Sequence, residues 1–162
     1  MKNKFKRTVC VILMLLLGIS CQASITKKHA PTQTVKRGSY IFRLAYANES
    51  MSAREAERWW GAFDDRRAQT VLSNLTGTYK GQSLFVPRSA FSGLANVSDV
   101  SAKLVKNGCV LEISGGDAAG AYDAKITFRR LDTVQRIVDS GEFSGIWYEK
   151  TIYRYPKPGE LK

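Results

Sequence analysis

Asn107-Gly108 stands between two apolar stretches, Ala102–Lys106 and Cys109–Ser114. An Asn-Gly pair in that setting specifies a tight antiparallel hairpin of type I′, because both turn residues take φ > 0. A two-residue connection cannot join parallel strands. The second half of the chain is thereby committed to an antiparallel sheet, and its remaining pattern agrees. Thr78–Val86 reads as a strand ended by Pro87. Ser114–Gly120 is a looser turn. Ala121–Arg130 alternates, with Tyr122, Ala124, Ile126 and Phe128 on one face. Thr133–Val138 is short and β-branched, which favours a strand. Gly145–Tyr155 is a last strand rich in aromatics.

The first half reads differently. Ser39–Ala47 has strand composition, with Tyr40, Phe42, Leu44 and Tyr46 sharing a face and Arg43 on the other. Ser52-Ala-Arg-Glu55 is a capping box. Ala53, Ala56, Trp59, Trp60, Phe63, Arg67, Val71, Leu72 and Leu75 then recur at steps near three and four. That spacing predicts an amphipathic helix of about five turns, weakened by Gly61 and ending near Asn74–Gly77. The order predicts an α+β domain, one N-terminal helix across a curved antiparallel sheet of about five to six strands. By analogy of layout alone this is the cystatin-like element order.

Ahead of this domain, Lys2, Lys4, Lys6 and Arg7 precede the apolar run Val9–Leu17 and then Gly18-Ile19-Ser20-Cys21. From Val9 to Ile19 the run is too short for a bilayer, which needs roughly 20 residues. A basic start, a short apolar run and small residues after it make a secretory signal peptide over residues 1–20. Residues 21–38 (Cys21 and ASITKKHAPTQTVKRG among them) contain no acid and read as a flexible basic tether. Residues 39–162 form the single domain. Charge follows this division. The chain carries 25 Lys+Arg against 14 Asp+Glu. Four cations lie in the leader and four in the tether, which leaves 17 against 14 in the domain. That mixed-sign surface excludes a nucleic-acid footprint.

Leu17 through Cys21 resemble a bacterial lipobox. Ser20 fits that family, while Gly18 stands three before the cysteine where the family usually carries Leu. The resemblance covers residues 1–21. It implies cleavage before Cys21, diacylglycerol on its sulfur and an acyl chain on its freed amine. With Gln22 rather than Asp after the cysteine, it implies sorting to the outer membrane of a Gram-negative host, facing the periplasm. Cys21-Gln22-Ala23 also fits ordinary leader cleavage after Ala23. Cys10 leaves with the leader. If Cys21 is lipidated, Cys109 is the one remaining thiol; if Cys21 stays free, a Cys21–Cys109 bridge is open. Cys109 itself lies in an apolar strand pattern and reads as a small buried hydrophobe.

The chemistry expected of the domain is binding rather than turnover. The single histidine, His29, lies in the tether, so no Ser-His or Cys-His pair can be built in the domain. The glycine clusters match neither phosphate-loop nor dinucleotide patterns. No cofactor or metal is expected. The most distinctive stretch is Ser140–Tyr155. It carries Phe143, Trp147, Tyr148, Tyr153 and Arg154, residue types enriched at binding surfaces. Alternation puts Trp147, Glu149 and Thr151 on one face and Tyr148, Lys150 and Ile152 on the other. The expected function is a membrane-anchored, non-enzymatic lipoprotein whose domain binds a protein or envelope component, an immunity- or inhibitor-type role being one form. A small-molecule or lipid carrier is the alternative, with a pocket lined by Trp59, Trp60, Phe63 and Phe128. A carboxylate-dependent hydrolase is the weaker one, using Glu112, Asp123 or Glu149.

Overall fold

The computed structural model describes residues 31–62, 68–143 and 145–155. The leader, Cys21 and residues 22–30 of the expected tether lie outside them, while Thr32–Arg37 of that tether is a strand of the domain. Among the described residues, nine antiparallel strands form two sheets. The first holds β1 (Thr32–Arg37), β2 (Tyr40–Ser50), β3 (Ala68–Tyr79) and β4 (Gln82–Ser83), paired in chain order. The second holds β5 (Val97–Val105), β6 (Gly108–Gly115), β7 (Tyr122–Arg129), β8 (Asp132–Ser140) and β9 (Trp147–Ile152), again in chain order. The sheets face each other across one core. Tyr40, Phe42 and Leu44 of β2 meet Leu111, Ile113, Ile126 and Phe128 of β6 and β7. The Phe42 and Phe128 rings lie 5.0 Å apart. On one flank β1 runs beside β5. On the other, Phe85 N–H donates to Leu131 O and Phe85 O accepts from Thr133 N–H. The β2 and β7 alternations fall as the sequence predicts: Tyr40, Phe42, Leu44 and Tyr46 are buried, as are Tyr122, Ala124, Ile126 and Phe128.

The α+β expectation is overturned. The long helix is absent from the described residues, and the architecture is two antiparallel sheets rather than a helix across one sheet. The capping box is real: Glu55 Oε2 accepts from Ser52 N–H at 2.9 Å, and Glu55 N–H donates to Ser52 Oγ at 3.3 Å. Those bonds hold the Glu55 carboxyl below its ordinary range. Yet they cap a single turn, α1 (Ala53–Ala56). Gly61 takes φ +74° and ends any continuation. Phe63 and Arg67 lie outside the described residues.

Val71, Leu72 and Leu75 belong to β3, and their helix-like spacing has a strand cause. The β2–β3 register slips between Ala45 and Tyr46, so Leu72 pairs with Tyr46 but Asn74 with Ala45. Ser73 is the extra residue of a β-bulge, and it shifts the alternation by one. Leu72 and Leu75 therefore share the core face. Val71 points the other way, under Met51 and Ala95. A bulge plus burial on both faces imitates a period near 3.6.

The Asn107-Gly108 reading is corrected in detail. The hairpin exists, but Val105 pairs with Gly108, so the turn residues are Lys106 and Asn107. Neither has positive φ. Gly108 is needed for space: a Cβ there would sit 1.9 Å from Phe128 O. Glycine also makes room at the opposite end of the sandwich. Tyr122 is buried there, its hydroxyl donating to Ala95 O at 3.0 Å. A Cβ on Gly115 would lie 2.6 Å from that hydroxyl oxygen. Gly115→Ala is expected to destabilise the fold by about 1–3 kcal/mol through overpacking, read as a fall in Tm. An unchanged Tm would show that the Tyr122 pocket is slack.

Cys109 is fully buried, as its apolar setting predicts. Burial pushes its thiol up to about 11 from an ordinary 9.0, with Arg37 pulling the other way. The neutral thiol therefore favours the fold below pH 9.0, and that contribution is lost as pH rises toward 11. Peptide-resolved alkylation at pH 8 is expected to spare Cys109 in the native protein and to label it after unfolding. Rapid native labelling would contradict this burial.

Candidate functional site

β9 pairs with β8 alone and forms an edge of the five-stranded sheet. Its sequence, WYEKTI, has the β-branched and aromatic content that favours strands. Its residues are mostly exposed, unlike those of the interior strands. Trp147 is 61% and Ile152 60% exposed, and Phe143, Ile146 and Tyr148 beside them are also open to solvent. Large exposed apolar side chains gathered along one edge are unusual for an isolated monomer.

The β8–β9 register is Asp139↔Trp147, then Val138↔Glu149. Tyr148 is the extra residue of a bulge, which corrects the simple alternation. Trp147 shares the outer face with Lys150 and Ile152, cross-strand from Asp139, Ile137 and Gln135. Glu149 and Thr151 face inward with Val138 and Arg136. The expected division thus fails at Trp147, holds for Glu149, Lys150, Thr151 and Ile152, and leaves the bulged Tyr148 without a cross-strand partner.

The inward side is tied down by a polar network centred on Arg136, which is 3% exposed. Its Nη1 donates to Ser89 O at 2.8 Å and to Ser92 O at 2.7 Å, carbonyls around the 3-10 turn Arg88–Ala90. Its Nη2 lies 3.4 Å from Glu149 Oε2. The same oxygen accepts from Trp60 Nε1 at 3.2 Å, and Glu149 Oε1 accepts from Thr151 Oγ1 at 3.0 Å. Trp60 in turn stacks on Tyr148, with centroids 5.3 Å apart and planes 8° from parallel. Trp60 is itself fixed by backbone bonds to Gly93 O and from Ala95 N–H. One carboxylate thus joins a buried guanidinium, a tryptophan and the edge strand. The arrangement fixes Tyr148 and Glu149 of β9 against the body of the sandwich.

Of the residues expected to bind, Phe143, Trp147 and Tyr148 lie together at the start of β9 and in the loop before it. Tyr153 and Arg154 follow the strand at its other end. Tyr153 is half-buried against the core, and burial raises its hydroxyl pKa although Ser89 lowers it. Arg154 is exposed. The sequence reading missed Ile146 and Arg136. An arginine within the apolar run of β8 was the available signal for the latter.

The residues of the rival readings are dispersed. Phe128 is buried against Phe42, and Phe63 lies outside the described residues. Trp59 and Trp60 border a shallow hollow of about 250 Å³ with Tyr148. Glu112 pairs with Lys103 and Asp123 accepts from Ser114 Oγ, both on the outer face of the second sheet. Glu149 faces inward at its edge. Lys125, beside Glu112 and Asp123, is paired with Asp139, whose hydrogen bond raises its pKa. Among the described residues no three His, Cys, Asp or Glu side chains are placed to hold a metal ion. Comparisons with protein-family models, with curated proteins and with solved structures find no match for this chain.

Removing Arg136 strands the Ser89 and Ser92 carbonyls and the Glu149 carboxylate. Arg136→Met is expected to cost about 2–3 kcal/mol in denaturant unfolding. Glu149→Gln keeps an acceptor for Trp60 and should cost less than half of that. Equal, small losses for both would show that the network does not hold β9.

Proposed function

We propose that this chain is a bacterial envelope lipoprotein, lipid-anchored through Cys21 in the outer membrane and facing the periplasm, whose β-sandwich is a non-enzymatic module that binds a partner protein along β9. The anchor rests on the leader and Cys21, which are sequence features. The observation that carries the binding role is the run of exposed large apolar side chains on an edge strand, Ile146, Trp147, Tyr148 and Ile152. An edge strand offers unpaired backbone groups, and alternate side chains add selectivity, so strand addition is the matching mode of recognition. Tyr and Trp supply large contact area at low entropy cost and dominate binding hot spots. An immunity- or inhibitor-type task has this form: a rigid patch, no turnover and a tethered domain.

The test is a photo-crosslinking residue placed singly at Trp147, Ile152 and Ser101 in cells. Ser101 lies on β5, the opposite edge of the same sheet. Discrete adducts at Trp147 and Ile152 but not at Ser101 are expected. Adducts at Ser101 alone, or at none of the three, would refute the β9 assignment. Intact mass of the membrane-extracted chain tests the anchor separately. A chain that begins at Cys21, heavier by lipid, is expected, and an unmodified chain that begins at Ser24 would refute it.

A further inference from the structure

The two ends of the sandwich carry opposite charge. At one end lie the four hairpin turns β1–β2, β3–β4, β5–β6 and β7–β8. Each bears an exposed cation: Arg37, Lys80, Lys106, and Arg129 with Arg130. Asp132 is the one acidic side chain among these turns. The other end presents Glu49, Glu55, Glu57, Asp99, Asp117 and Glu142 against Arg54 and Arg58. The small net charge of the domain, 17 Lys+Arg against 14 Asp+Glu, conceals this polarity.

The basic end is also apolar at its centre. Leu104 and Val105, on the tip of the β5–β6 hairpin, are 55% and 41% exposed. Leu104 lies over Gly38, where an added Cβ would come within 3.2 Å of its side chain. The tip and the other turns surround an open hollow of about 720 Å³ floored by Tyr40 and Tyr79. Exposed aliphatic side chains ringed by cations match a phospholipid surface with anionic headgroups. The aliphatic groups enter the headgroup layer, and each cation near the surface adds attraction. A small anion would use the charges and leave Leu104 and Val105 without a role.

We propose that this turn end docks on an anionic phospholipid bilayer. It is distinct from β9, which runs up the side of the sandwich. Where the Cys21 anchor holds, both can engage one membrane. Pro31 O accepts from Tyr46 N–H, six residues along β2 from Tyr40, which places it about 20 Å from the turn end. Residues 22–31 can span about 33 Å when extended. The domain would then stand with its acidic end away from the bilayer and β9 open laterally.

The test is vesicle flotation of the exported Cys21→Ala chain, which carries no lipid and keeps every described residue, so a failed anchor does not affect it. Flotation with phosphatidylglycerol–phosphatidylcholine vesicles, weakened by salt, is expected, with little on phosphatidylcholine alone. Charge reversal at Arg129 and Arg130 should weaken binding at least ~20-fold. Lys80→Glu with Lys106→Glu gives the same reading if that variant fails to fold. Leu104→Ser with Val105→Ser should weaken it about tenfold. Lys27→Gln with Lys28→Gln should leave most of it. Equal flotation on both vesicle types, loss only in the tether variant, or binding of inorganic polyphosphate without flotation would overturn the proposal.

Discussion

The contact between Phe42 and Phe128 is the constraint from which the rest follows. It is the point where the inner faces of the two sheets meet, and both rings are fully buried. Burying a phenylalanine side chain is worth roughly 1.5–3 kcal/mol, and neither sheet has another face with comparable apolar content. β2 and β7 must therefore alternate without error through the core. The extra residues fall in their partner strands or beyond them, at Ser73 of β3, Ser98 of β5, Tyr148 of β9 and Val134 of β8, the last beside Phe128 itself. Gly108 belongs to the same constraint, because the hairpin beside Phe128 closes only where no Cβ intrudes.

Around this core the molecule separates its tasks. The outer face of the second sheet is a solvated ladder in which carboxylates meet lysines, as with Glu112 and Lys103. The β9 edge is apolar, aromatic and fixed from beneath by Arg136 through Glu149. The turn end is basic. A buried arginine is costly unless its donors are used. Here it serves the 3-10 turn and the edge strand together, linking the crossover between the sheets to the surface proposed to bind.

Single elements were legible, but the architecture was not. Period-two burial named the core of β2 and β7 residue by residue, and the capping box at Ser52 and Glu55 formed as written. The long helix was not legible as an error, because a bulge at Ser73 and a second covered face at Val71 reproduce helical spacing in a strand. Local pattern cannot separate those cases; pairing with β2 decides them. The hairpin at Asn107 was correctly placed but shifted by one residue, since Gly108 answers to Phe128 across the sheet and not to its own φ. At the candidate site, aromatic content named Phe143, Trp147 and Tyr148. Arg136 lies only about ten residues from them in sequence, but its partners at Ser89 and Ser92 are more than forty away, and no local rule joins them.

The central claim is an all-β domain with a rigid but open edge at β9. Residue-resolved amide hydrogen exchange tests it most directly. The account predicts strong protection in β2, β3, β6, β7 and β8, fast exchange from Glu57 to Trp59, and protection in β9 only at amides turned toward β8. Continuous protection from Ala53 to Leu75 would restore the helix and contradict the fold. Uniform protection through every amide of β9 would show that the edge is already covered.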